Sequence, residues 1–314
     1  MNFLLLSRQR WLYSTRRFRD TARARGYQLS MVDPLECGLA IGPDGVRLFF
    51  RDRDVPSIDV AIPRIGASLP GQGVAVVSHL EAMGIPLVNS AAAIRRARDK
   101  LLALQILTAR GIVVPRTVLA RGPDQVEQAL EMVGGPPVVL KLLQGTQGVG
   151  VILAETRAAA VSTLDTLWGL RQDVIVQEYV ADSAGRDIRA LVVGGRIVAA
   201  MRRQAPAGEW RSNIHRGGTG ARVDLDPQYA DAAVAAAAAI GLDVAGVDLL
   251  EARDGPRVTE VNASPGFEGL ERVCRVDAAS AILDLAEALA TGLEPRSAPI
   301  RLASGTLLEE TEFR

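Results

Sequence analysis

Two carboxylates and a carboxamide on adjoining stretches of chain raise the question of chemistry first. In "VAGVDLLEARDGPRVTEVNASPGFEG" the turn signal "RDGP" (253–256) separates two β-like runs. A loop centred on Asp254 sets Asp248 opposite Glu260, with Asn262 one step along on the same face. Three hard oxygen donors then converge. Oxygen ligands without Cys or His suit magnesium or manganese rather than zinc, and the acid spacing of a calcium loop is absent. The bland alternative is a solvated strand face. The apolar residues around these three weigh against it, because a charge on an otherwise buried face is costly unless something pairs with it.

A cation of that kind commonly holds phosphates, and "VVLKLLQGTQGVGVILAE" offers them a place. Lys141 lies on a strand, followed by Gly145, Gly148 and Gly150 and then by another strand. Glycines let backbone N–H groups approach an anion, and the lysine adds a point charge. No Lys-Ser/Thr follows, so this is not a P-loop; a strand follows and not a helix, so it is not a Rossmann fingerprint. Alone it is only a glycine hairpin, and its company gives it weight. "VIVQEYV" supplies Gln177, Glu178 and Tyr179, "RDIRALVV" supplies Asp187 and Arg189, and "MRRQ" supplies Arg202 and Arg203. "EWRSNIHRGG" adds Arg211, Ser212 and Asn213. Arginines beside a metal and a phosphate loop suit charge stabilisation in phosphoryl transfer, although any one alone reads as surface charge. His79 sits in a helical pattern and reads as structural. His215, beside Arg211, touches substrate or makes a local hydrogen bond. No Ser-His-Asp or Cys-His nucleophile is needed.

The elements that must position these groups follow from the patterning. Strand-like "FLLLS", a helix ending at Gly26, strand-like "IDVAIPRIG", a helix through "VAVVSHLEAMG" and a short strand "IPLVN" indicate a small parallel sheet with packed helices. Asn89-Ser90 caps "AAAIRRA", and "RDKLLALQILTARG" is a helix closed by Gly111. From Pro115 onwards strands and helices alternate around the glycine loop. "DIRALVVGGRIVAAMRR" is a hairpin turning at Gly194-Gly195, followed by an alanine-rich helix, the "RDGP" hairpin and a last helix.

The 314 residues carry 36 Lys+Arg against 36 Asp+Glu, which argues against nucleic-acid binding through bulk charge. With 48% hydrophobic and 23% charged residues the chain is globular. The 2 cysteines, Cys37 and Cys274, support neither a disulfide scaffold nor a thiolate metal site. "MNFLLLSRQR" is too short for a signal-peptide core, and "AAVAAAAAIGL" is no membrane span, so a cytoplasmic protein is expected.

In order, "RARDK", "VVLK", "GTQGVGV", "VQEYV", "DIRALVV", "RSNIHRGG", "AGVDLL" and "EVNASPGFEG" resemble the ATP-grasp ligases. Together with "LLSR", "DPLECG", "PRIG" and "MVGGPP" the set is similar to their RimK branch over about residues 1–290. The resemblance implies an α/β ATP-grasp fold with an N-terminal pre-ATP-grasp parallel-sheet domain. Its divisions would be residues 1–95, a small lobe with the glycine loop at 96–180, a large lobe with the metal site at 181–292, and a tail at 293–314. It implies an ADP-forming ligase that activates a carboxylate as an acylphosphate and joins it to an amine. In this branch that means adding glutamate to an acidic C-terminus of a small-subunit ribosomal protein, or building poly-α-glutamate.

Carried over by motif, Lys100, Lys141 and the loop glycines would contact ATP phosphates. Gln177, Glu178 and Tyr179 would line the adenine pocket, and Asp187 would lie near the ribose. Arg211, Ser212 and Asn213 would face the phosphates and the reacting carboxylate, with Arg189 and Arg203 in support. Asp248, Glu260 and Asn262 would bind two Mg2+ or Mn2+ ions. The expected partners are L-glutamate, an acidic peptide or protein C-terminus, and further copies in a dimer or tetramer; neither membrane nor nucleic acid is expected. "QAPAGEW", with Pro206, is less basic than the branch leads one to expect. The acidic "TLLEETEFR" at residues 306–314 reads first as a loosely ordered terminus; the alternative is that it visits the acceptor groove of its own or a neighbouring subunit. Two other readings stand beside this one: an ATP-grasp ligase for a different small carboxylate or amino-group carrier, and a nucleotide-binding regulatory protein without turnover.

Overall fold

An apolar run that is buried on both faces must be an inner strand, and "NFLLL" is one. The computed structural model describes residues 1–43, 45–51, 53–55, 57–66, 71–143, 150–206, 209–210 and 218–293. The chain begins β1 (Asn2–Leu6), α1 (Tyr13–Ala24), β2 (Gln28–Val32), β3 (Cys37–Gly42), β4 (Gly45–Phe50), β5 (Arg53–Asp54), β6 (Val60–Pro63) and α2 (Gln72–Ala82). Strands β2, β1 and β6 form a parallel sheet in that order, and Phe3 through Leu6 of β1 are almost wholly buried. Helices cover both faces, so the strand needs no polar side.

The antiparallel sheet β3–β4–β5 was not visible in the sequence. It buries little beyond Leu48 and leaves Ile41 79% exposed, so no clear alternation marks it. "IPLVN" is not a strand; Leu87 makes a single parallel bridge to Ala61.

Next come α3 (Ala91–Arg98) and α4 (Lys100–Ala109). The break falls at Asp99, which adopts extended φ/ψ and whose carboxylate accepts from Leu102 N at 3.0 Å. The second helix therefore starts at Lys100, two residues later than its sequence pattern indicates. A lysine in a first helical turn opposes the helix dipole.

The middle of the chain forms β7 (Thr117–Leu119), α5 (Val126–Met132), β8 (Val138–Leu142), β9 (Val151–Ala154), α6 (Arg157–Gly169) and β10 (Val174–Glu178). The strands make an antiparallel sheet in the order β7-β10-β8-β9. One face, with Val138, Leu140, Val174 and Val176, packs on Ala129, Leu130, Ala160 and Leu164 of the two helices. Side chains alternate across a strand, so Lys141 and Gln177 lie on the opposite face.

The remaining elements are β11 (Arg186–Val193), β12 (Arg196–Gln204), β13 (Thr219–Arg222), α7 (Pro227–Ile240), β14 (Val244–Ala252), β15 (Gly255–Asn262), α8 (Glu268–Cys274) and α9 (Ala278–Thr291). Their five strands run in the order β13-β12-β11-β14-β15. Gly194 and Gly195 turn the first hairpin with φ of +55° and +74°, the positive pair that a two-residue turn requires. Ile188, Ala190, Val192, Val247 and Leu249 pack on the alanine-rich helix α7. The other face is apolar at one end, where Leu191, Val193 and Met201 share a core with Phe3, Leu5 and α9. Its other end is polar.

Buried polar clips join these layers. Asn89 accepts from Asp243 N at 2.8 Å and Val244 N at 2.9 Å, and donates to the carbonyls of Val244 at 2.8 Å and Ala263 at 2.9 Å. Glu271 accepts from Tyr13 Oη, Arg17 Nε and the backbone of Ala278 and Ala279. Among the described residues no helix is long and apolar enough to cross a membrane.

Candidate active site

The polar end of the five-stranded sheet is a row of charged pairs. β14 and β15 place Asp248 opposite Glu260 and Gly246 opposite Asn262. The sequence reading has this pair right, but the route differs. From Ala252↔Gly255 to Leu249↔Val258 the register centres between Arg253 and Asp254, and a bulge between Asp248 and Leu249 restores the expected pairing. Thr259 is the extra residue, and its hydroxyl donates to the Asp248 carbonyl at 3.1 Å. Without that bulge Asp248 would face Thr259, and Glu260 would turn to the other side.

β11 adds Arg189 directly opposite Asp248. Its guanidinium grips that carboxylate at both oxygens, Nε to Oδ1 at 2.7 Å and Nη2 to Oδ2 at 2.6 Å. Arg203, 4% exposed, reaches Asp248 Oδ2 at 3.1 Å and pairs with both oxygens of Asp187 across β11 and β12. These arginines were expected to act on phosphates. In the structure both pair with carboxylates, Arg189 with Asp248 and Arg203 with Asp187 and Asp248. Burial opposes the Asp248 charge, yet Arg189 and Arg203 outweigh it and bring its pKa down to about 2.

Glu260 is different. It is exposed on β15, with protein atoms around it that thin its water, and no described residue hydrogen-bonds or ion-pairs with it. Crowding out of water and the neighbouring Asp248 raise its pKa, against the pull of Arg189, Lys141 and Lys100. The two lysines come from elsewhere in the fold. Lys141 projects from β8 of the four-stranded sheet, and Lys100 from the start of α4. Lys100 Nζ donates to the Leu142 carbonyl at 3.0 Å, so it braces the strand that carries Lys141. Burial lowers the pKa of both; for Lys141 the repulsion of Lys100 adds to this, while Glu260 and Asp248 oppose it. Desolvated cations from β8 and α4 facing carboxylates on the five-stranded sheet make a site in which an anion bridged by a cation is strongly favoured.

The donor set fits a hard cation. Asp248 accepts three N–H bonds of about four its carboxylate can take, which leaves one on Oδ1. Glu260 is open, and Asn262 makes no side-chain hydrogen bond to a described residue. Among the described residues no three His, Cys, Asp or Glu side chains cluster as a metal site; Asn262, two residues beyond Glu260 on β15, carries a further oxygen donor on the same face.

On the four-stranded sheet Gln177 is buried, and its amide donates to Thr117 Oγ1 at 2.8 Å. Glu178 accepts from Arg116 N at 3.0 Å and Nε at 3.1 Å; burial works against its charge, but these bonds hold its pKa below the usual range. Tyr179 follows, half-buried. No local pattern marks Thr117 or Arg116 as partners, since both lie some sixty residues away. Gly150 has φ +77°, and a Cβ there would meet Leu142 Cδ1 at 2.6 Å, so only glycine fits. Gly145, Gly148, Arg211, Ser212, Asn213 and His215 lie outside the described residues, as does the tail from residue 294. His79 is buried and bonds the Arg47 carbonyl at 3.0 Å, the structural role expected of it.

The family model for the RimK-like ATP-grasp domain matches residues 97–286, and that for the RimK PreATP-grasp domain matches residues 1–94. The chain belongs to the RimK-like ATP-grasp family. It is similar to a probable alpha-L-glutamate ligase of Pseudoalteromonas translucida, 48% identical over 291 residues that cover 93% of this chain and 97% of the relative. Among solved structures it is similar to a RimK domain protein ATP-grasp from Sphaerobacter thermophilus. That match has a TM-score of 0.70 at 25% identity and covers 91% of this chain and 99% of the other. The ATP-grasp ligase PsnB, complexed with a phosphomimetic variant of its minimal precursor, Mg and ADP, has a TM-score of 0.71 at 21% identity, covering 92% and 98%. The fold is thus the ATP-grasp fold behind an N-terminal parallel sheet, and the family member described here is an ATP-dependent ligase.

Proposed function

We propose that this ligase adds L-glutamate to an acidic protein or peptide C-terminus, either that of a small-subunit ribosomal protein or a growing poly-α-glutamate chain. The observation that carries the reading is the electrostatic meeting of Lys100 on α4 and Lys141 on β8 with Glu260 and Asp248 on the five-stranded sheet. Relatives named as probable alpha-L-glutamate ligases at 46–48% identity support glutamate as the amino acid.

In this proposal Lys100 and Lys141 hold ATP phosphates, and Glu260, Asn262 and the free lone pair of Asp248 hold magnesium or manganese, as two ions. The ions, when bound, neutralise charge on the phosphates. The acceptor carboxylate attacks the γ-phosphorus and ADP leaves. The glutamate amine then attacks the acyl carbon, the carbon–oxygen bond to phosphate breaks, the amine loses its proton, and an amide forms. Arg189 and Arg203 keep Asp248 ionised and oriented throughout. Gln177, Glu178 and Tyr179 wall the adenine and Asp187 lies toward the ribose. Gly145, Gly148, Gly150, Arg211, Ser212 and Asn213 complete the phosphate cradle. A division of the chain near residues 95, 180 and 292, a dimer or tetramer, and a cytoplasmic setting belong to the same proposal.

The test is mass spectrometry after incubation with ATP, magnesium and each amino acid, alone and with a peptide ending in two glutamates. Mass increments of one glutamyl residue on the peptide are expected. Increments with another amino acid, or none on any acidic acceptor, would overturn the glutamate assignment.

A further inference from the structure

Arg64 is a cation that the phosphate site does not use. It follows β6 directly, at the carboxyl end of the parallel sheet, and its backbone N donates to the Leu6 carbonyl at 2.9 Å. In the order β2-β1-β6 the chain leaves β1 to one side and returns on the other, so β1 and β6 flank the switch point of the sheet. Crevices at such points, beyond the carboxyl ends of the strands, are where open α/β sheets bind ligands.

The side chain is held rigidly and left largely unsatisfied. Its Cζ lies 5.9 Å from the ring centroid of Phe18 and 5.8 Å from that of Phe267, two rings packed edge to face with centroids 5.6 Å apart. Among the described residues its one side-chain hydrogen bond runs from Nη2 to the Pro265 carbonyl at 2.7 Å, and no carboxylate pairs with it. A guanidinium has five N–H donors. Burial without a counter-ion pulls its pKa down to about 10. The placement also ties it to the reacting end of the sheet. Pro265 packs over Gly246, where a Cβ would come within 2.6 Å of the Pro265 Cβ, and Gly246 pairs with Asn262. Arg98 donates to the Gly66 carbonyl at 3.1 Å, two residues beyond Arg64.

We propose that Arg64 binds a carboxylate of the non-nucleotide substrates, presenting its planar fork from the switch-point crevice toward the cleft beside Asn262. A planar fork with free N–H groups matches a carboxylate in two-point geometry. The proposal rests on the ligase reading above and adds to it the residue that selects an acidic or amino-acid substrate. Two sources carry that group: the incoming amino acid and the acceptor C-terminus.

The test compares wild type with Arg64→Met and Arg64→Lys by ADP release, varying each substrate in turn, ATP included, while the others and magnesium are saturating. It uses whichever amino acid and acceptor peptide give a mass increment, so a wrong amino acid sinks only the glutamate assignment. Hydrogen bonds to a charged group are worth enough that Arg64→Met should raise one KM roughly 10- to 100-fold. The kcat should fall less than threefold and the KM for ATP should hold within about twofold. Arg64→Lys should lie between the two and unfold at the wild-type temperature, which separates binding from packing on the phenylalanines. The substrate whose KM rises names the source. Replacing that substrate's carboxylate by an amide should cost wild type as much as the methionine variant has already lost, and cost the variant little more. Both KM values unchanged in an active Arg64→Met enzyme, or a rise confined to ATP, would overturn the assignment.

Discussion

Asp248 and Glu260 face each other as a cross-strand pair, yet their replacement should have opposite effects on stability. Asp248→Asn removes the only described partner of Arg189 and one of two partners of Arg203. The side chains involved are 20%, 8% and 5% exposed, so the ion pairs lie out of water. Stranding a charge in such a pair costs about 3–5 kcal/mol. A pKa moved from the ordinary 3.8 to about 2 corresponds to roughly 2 kcal/mol from the titration alone, a consistent order. For a chain of this size each kcal/mol is worth about 2 °C, so the variant should unfold about 6–10 °C lower.

Glu260→Gln strands nothing. The pKa of Glu260 is already raised, so its charged form is disfavoured in the fold, and the variant should unfold at or slightly above the wild-type temperature. Both variants should lose magnesium-dependent ligation. The sign with pH follows. The Asp248 contribution is complete above about pH 4 and is lost as pH falls through about 2, so the two variants should converge in stability only under strong acid. Differential scanning calorimetry at pH 7 and pH 3, beside an ADP-release assay, makes the comparison. Equal unfolding temperatures for the two variants at pH 7 would refute the division between a structural and an open carboxylate.

Three further outcomes can be checked in the same way. Lys141→Ala should raise the KM for ATP at least tenfold without lowering the unfolding temperature, because the fold disfavours that lysine's charge until an anion arrives. Asn89→Ala should cost about 3 kcal/mol in urea unfolding, since it removes four hydrogen bonds, two of them buried and two part-buried, and leaves alanine at φ +75°. Gly246→Ala should push Pro265 off the sheet and lower turnover at least tenfold at a stability cost of about 1–3 kcal/mol, read by steady-state kinetics and thermal unfolding.

What the chain determines by itself is the local part of the site. Asp248, Glu260 and Asn262 lie on one short hairpin whose turn residues and alternation are both legible. The Gly194-Gly195 turn and the placing of Lys141 on a strand before the glycines follow in the same way. These features depend on neighbours a few residues apart, where backbone preference and period decide the outcome. Even there the bulge at Thr259 escaped, because a threonine fits a regular strand as readily as a bulged one. Everything that gives the carboxylates different roles was decided elsewhere. Arg189 reaches Asp248 from 59 residues away, Lys100 braces Leu142 from 42, and Arg64 meets Pro265 from 201. No spacing rule links such residues; strand pairing across the five-stranded sheet joins the first pair, and tertiary packing of separate elements joins the other two. The motif residues announced a cation and a phosphate, but which carboxylate is held by arginine and which stands open depends on burial and counter-charge, and those exist only in the folded chain.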